Sequence, residues 1–155
     1  MTGSDGRDDT RAERFGAIDG EALREIGDRF VELEPLVESV ALDDPLNPQT
    51  LSVELADGVG DADHARIDVR WSVTDNYAAH YTDSHGRNYR FDCHPKPDAP
   101  RRHFHTPLDA PTRPVEESCI TVSEVSLVTR ALLDRWRAAY ESGEFDGVND
   151  ATNPP

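Results

Sequence analysis

The sequence predicts an α+β fold, an antiparallel four- to five-stranded meander with an N-terminal and a C-terminal helix packed on one face. Three observations predict it. Helical spacing of apolar residues occurs near both ends (Leu23, Ile26, Phe30, Leu33; then Val125, Val128, Leu132, Trp136 and Ala139/Tyr140), one stripe per helix. Between them, apolar and polar residues alternate with a period of two, most cleanly at Ala65, Ile67, Val69, Trp71 and Val73 against Arg66, Asp68, Arg70 and Ser72. The segments are joined by short turn sequences rather than by helices, which favours antiparallel pairing and leaves one face of the sheet polar.

Element by element, Asp19 can cap a helix over about 20–34 that Pro35 stops. Leu36–Leu42, Leu51–Leu55 and Ala65–Val73 read as strands. Tyr77–Thr82 and Arg87–Cys93 read as a hairpin. A three-residue loop, Ser84-His85-Gly86, with glycine in the left-handed conformation sets Tyr81 opposite Tyr89 and His80 opposite Arg90. Six prolines between 95 and 114 mark a long loop, a length that is functional or disordered in a compact domain. Within it, His103 and His105 point one way and Phe104 the other. Thr121-Val-Ser-Glu124 matches a capping box for a helix over about 122–142 that ends at Gly143. The expected organisation is a disordered acidic tail (1–17), one domain (18–143) and a flexible C-terminal tail (144–155).

Composition narrows the function. The chain has 155 residues and a formal net charge of -15, with 19 Asp, 12 Glu and one lysine, Lys96. Such a surface resembles those of halophilic archaeal proteins. At molar salt the Debye length is about 3 Å, so local geometry rather than global acidity decides whether nucleic acid can bind. Cys93 and Cys119 form no CxxC and are expected as free thiols in a reducing cytoplasm. The N-terminus lacks the apolar core of a signal peptide, and no run approaches transmembrane length. A cytoplasmic protein with no membrane partner is the expectation.

Chemistry concentrates between Tyr77 and Asp109, which hold five of the six histidines. From Arg87 to His105, five cations stand against Asp92 and Asp98, a basic island in an acidic chain and a candidate anion site. Cys93, His94, His103 and His105 are donor types that zinc accepts, but their spacing matches no familiar finger, and no cofactor or metal is expected. There is no nucleophile elbow, and the single H-x-T at His80 lacks the second copy that a two-histidine phosphoesterase needs. Metal-independent RNA cleavage fits best. It needs a base for the 2′-hydroxyl, an acid for the leaving oxygen and a cation for the phosphate. His80, Arg90, His94, His103 and His105 are the catalytic candidates. Tyr77 and Tyr81 are candidates for base stacking, and Arg87, Lys96, Arg101 and Arg102 for the RNA backbone.

The motif Asp75-x-Tyr77-x-x-His80-Tyr81-x-Asp83, Gly86-Arg87, Arg90-Phe91-Asp92, His94-Pro95 and His103-Phe104-His105 resembles the TumE-type toxins of type II toxin–antitoxin systems. The resemblance covers about Val69 to Arg137. It implies a small α+β toxin, an endoribonuclease restrained by a cognate antitoxin protein. The alternative is a non-catalytic interaction module or an inactive toxin relative, in which the histidines point apart or pair with a carboxylate such as Asp92; a His/Cys metal-binding protein ranks behind these.

Overall fold

A computed structural model describes residues 15–150. Its elements are α1 (Gly20–Leu33), β1 (Val37–Leu42), β2 (Leu51–Leu55), β3 (Ala65–Trp71), β4 (Tyr77–Asp83), β5 (Asn88–Cys93), β6 (Arg102–His105), β7 (Glu116–Glu117) and α2 (Val125–Ser142). The strands form one antiparallel sheet in the order β1-β2-β3-β4-β5-β6-β7. The class is the α+β meander expected, with seven strands instead of four or five. The two added strands lie in and just after the proline-rich stretch. There Arg102–His105, which contains no proline, pairs along β5, and backbone pairing decides the matter where composition signalled a loop.

Asp19 Oδ1 accepts from Ala22 N at 3.1 Å and starts α1. α2 begins at Val125 behind Glu124, which makes no side-chain cap bond, so the Thr121–Glu124 capping box is not used. It closes on Gly143 in the left-handed conformation (φ +76°), as its glycine requires. The helices join where Arg137 pairs with the buried Glu34.

One face of the sheet carries the core: Leu51, Val53, Leu55, Ile67, Val69, Trp71, Tyr77, Tyr81, Tyr89, Phe91 and Phe104 are buried, together with Leu23, Phe30, Leu132 and Trp136 of the helices. Ends expected as tails also contribute. Phe145 and Val148 are buried, and Asn149 Oδ1 accepts from Cys119 N at 2.7 Å. At the other end, Ala17 O accepts from Val73 N at 2.8 Å, and Phe15 O accepts from Asn76 Nδ2 at 2.8 Å. The remainder of both expected tails, residues 1–14 and 151–155, lies outside the described residues. No described helix is long and apolar enough to cross a membrane.

Candidate functional site

The site lies on the polar face, and strand register puts it there. Gly86 adopts φ +76° and its N–H meets Asp83 O at 2.9 Å, closing the β4–β5 hairpin with Tyr81 opposite Tyr89 and His80 opposite Arg90. β6 then sets His105 beside Arg90 and His103 beside Asp92. Two cross-strand rows result: Ser52–Asp68–His80–Arg90–His105, and Arg70–Ala78–Asp92–His103–Glu117. His103 and His105 do share one face with Phe104 on the other. They do not face His80 and Arg90 across a groove, as a folded-back loop would place them; they sit in the adjoining strand.

Asp92 is the hub. It is buried, and Arg90 Nε donates to its two oxygens at 2.9 and 3.0 Å. Its Oδ2 lies 3.1 Å from His94 Nε2, 3.1 Å from His105 Nε2 and 3.5 Å from His103 Nε2. The far side of each ring is fixed by a proline carbonyl: His94 Nδ1 by Pro95 O at 3.0 Å, His103 Nδ1 by Pro100 O at 2.9 Å and His105 Nδ1 by Pro111 O at 2.8 Å. A carbonyl only accepts, so each Nδ1 carries hydrogen, and each Nε2 bears either a lone pair or the extra proton of an imidazolium. Arg90 Nη2 lies 2.9 Å from His105 Nε2 and can only donate, which fixes that atom as an acceptor and His105 as neutral. Burial alone would push the Asp92 carboxyl up; its contacts with the rings of His103, His105 and His94 and the charge of Arg90 override it and hold the group well below the usual carboxylate range.

Exposure separates the candidates. His103 and His105 are 0% and 1% exposed, so neither reaches a substrate as a free acid or base, whereas His94 remains partly exposed. His80 is partly exposed, with Nε2 2.9 Å from Asn88 Oδ1. Asn88 Nδ2 donates to Leu108 O at 3.1 Å, which turns Oδ1 toward His80. His80 Nε2 therefore carries hydrogen and its Nδ1 keeps the lone pair.

The tyrosines correct the sequence reading. Tyr77 and Tyr81 are each 1% exposed on the apolar face, stacked on Trp71 and Tyr89, so they are core residues and present no face to a base. Burial pushes both phenols well above their ordinary range. Arg87 is also structural: its Nε donates to Asp83 at 3.2 Å and its Nη2 to Val59 O at 2.6 Å. Arg101 is tied to Asn76, and the buried Nε of Arg102 has no hydrogen-bond partner in the structure. Cys93 lies among the core residues, so the four-donor set with His94, His103 and His105 does not form.

Lys96 lines a cleft of about 380 Å³ with Pro97, Pro100, Arg113 and Pro114. Burial and the charges of Arg113 and Arg90 push its ammonium down, against a smaller opposing pull from Asp92. Asp98 lines the same cleft, so two cations and one carboxylate share it. Arg113 was missed from sequence; Asp92 was named there as the carboxylate with which the histidines would pair in the non-catalytic alternative, and three of them lie against it.

The family model described as Toxin TumE matches residues 27–142, a span that includes every strand, the second half of α1 and all of α2. The chain belongs to the TumE toxin family. No curated protein and no solved structure matches it. In this TumE-family chain, the match takes in the strands of the polar face and the proline-rich stretch from 95 to 114.

Proposed function

We propose that this TumE-family protein is the toxin of a type II toxin–antitoxin system, that it cleaves RNA on the polar face of its sheet, and that a cognate antitoxin restrains it. The observation that carries the reading is the pairing of His80 with Arg90 on that face, in a chain whose proline-rich loops also bring Lys96 and Arg113 into one cleft. Arg90 Nη1 holds the phosphate, and Lys96 and Arg113 hold the neighbouring backbone. His80 Nδ1 takes the 2′-hydroxyl proton. The 2′ oxygen then bonds to phosphorus, the bond to the 5′ oxygen breaks, and the proton passes to that leaving oxygen, giving a cyclic phosphate and a free 5′-hydroxyl. Of the four histidines first considered, only His80 is both accessible and free of Asp92.

A second reading, a non-catalytic interaction module, is favoured by one observation: three histidines are tied to Asp92. The test compares growth arrest on expression and RNA cleavage in vitro for the parent, His80→Ala and Arg90→Ala. Folding is checked by circular dichroism. Loss of His80 should reduce cleavage about 10²–10⁴-fold. A parent that arrests growth while leaving RNA intact across a salt series supports the second reading, and rescue by the product of a neighbouring small gene identifies the antitoxin.

A further inference from the structure

We propose that Asp92 Oδ2 and the Nε2 atoms of His103 and His105 bind one divalent metal ion of the zinc type as its three protein ligands. Tetrahedral ligands about 2.0–2.1 Å from zinc lie about 3.3–3.4 Å from one another. The separations from Oδ2 to His103 Nε2 and His105 Nε2 are 3.5 and 3.1 Å, edges of such a tetrahedron within a few tenths of an ångström. Donor atoms of Asp92, His103 and His105 all lie within 4.8 Å of one another.

The hydrogen bonding points the same way. Both rings donate Nδ1–H to a proline carbonyl, the outer-shell arrangement that orients metal-bound histidines and leaves Nε2 for the ion. With only protein atoms present, those lone pairs face a carboxylate oxygen that also accepts. His103 shows the mismatch most sharply, for its Nε2 is buried without a hydrogen-bond partner and is aimed at Oδ2. A buried acceptor in that position costs stability. Two imidazolium ions would supply donors, but one carboxylate could not balance them, and His105 is an acceptor already. A single divalent cation satisfies Asp92 Oδ2 and the Nε2 atoms of His103 and His105.

The ion would take the His105 lone pair that Arg90 Nη2 now uses, while Arg90 Nε keeps its bond to Asp92 Oδ1. Binding would thereby turn one more guanidinium donor toward the open face. It would also fasten the two loops that carry Pro100 and Pro111 to the sheet. Metal binding itself does not depend on the RNA reading.

The experiment uses the full chain purified without a metal-affinity tag, stripped with chelator and titrated with zinc by calorimetry. Cobalt(II) serves as a spectroscopic probe. One ion per chain is expected, with a tetrahedral cobalt spectrum that lacks thiolate charge transfer, because Cys93 lies in the core. His103→Ala, His105→Ala and Asp92→Asn should each weaken binding by more than the about 10–100-fold typical of losing an outer-shell partner. Asp92→Asn, which keeps the size of the side chain, tests the same site if the histidine variants do not fold. A His64→Ala/His85→Ala double variant should bind as the parent does. No uptake at millimolar zinc, binding abolished by the His64/His85 change, or binding untouched in folded Asp92→Asn would each overturn the proposal.

Discussion

Arg90 and Asp92 form a pair whose two ends see different surroundings, which makes its removal asymmetric. The Asp92 side chain is 1% exposed and that of Arg90 is 36% exposed. Arg90→Ala strands a buried carboxylate, a change that costs about 3–5 kcal/mol when both partners are buried. Because Arg90 is a third exposed and partly screened, the lower end, about 3 kcal/mol, applies. Asp92→Ala strands a guanidinium that can turn to water, so the loss is that of a charge-assisted hydrogen bond, about 2 kcal/mol. The double variant should cost less than the sum, with a coupling of about 2 kcal/mol. Urea unfolding of the chelator-treated protein measures all four corners of the cycle. At about 3–4 °C per kcal/mol for a chain of this length, thermal melts should show the same order. Additivity within about 0.5 kcal/mol, or an Asp92→Ala change that costs more than Arg90→Ala, would refute the reasoning.

Other expectations rest on single side chains. Tyr77→Phe removes a buried hydroxyl without a hydrogen-bond partner and should raise stability by up to about 1 kcal/mol while leaving RNA cleavage unchanged; a loss of cleavage in the folded variant would return Tyr77 to the binding surface. Arg137→Ala uncovers the buried Glu34 carboxylate and should cost about 3 kcal/mol in denaturant melts, with Glu34→Gln/Arg137→Ala recovering part of it. Gly86→Ala meets no atom within 4 Å, so only its φ of +76° opposes the change, and a loss of about 1–2 kcal/mol is expected from equilibrium unfolding.

The fold was legible wherever side-chain period and burial agreed. The alternation of Ala65–Trp71 fixed which face meets the helices, and the glycine at position 86 fixed the hairpin register, hence the His80–Arg90 pairing. β6 was hidden because proline counts describe a whole stretch, whereas four proline-free residues suffice to pair with a neighbouring strand. Residue type also overstates access. Tyr77 and Tyr81 have surfaces suited to a base, but the alternation that puts His80 on the polar face puts both tyrosines in the core. Asp92 entered only as the histidines' partner in the non-catalytic alternative, for a different reason. Its importance comes from His94, His103 and His105 converging on it, and that convergence requires the turn between β5 and β6, which local spacing does not encode.

The order of the sheet also bears on how the chain is made. Every strand pairs with its neighbours in sequence, so the meander can zip up by short-range closures as it emerges, the kind of contact that forms quickly. Its apolar face has no such local solution. α2 follows all seven strands, and its Arg137 meets Glu34 across 103 positions of chain. At about 5–20 residues per second of synthesis, the strands bearing His80, Arg90 and Asp92 leave the ribosome seconds before the helix that seals their reverse side. During that interval the hydrophobic surface behind the site is bare, and a nascent chain lacking α2 has its polar face assembled on a sheet with no completed core.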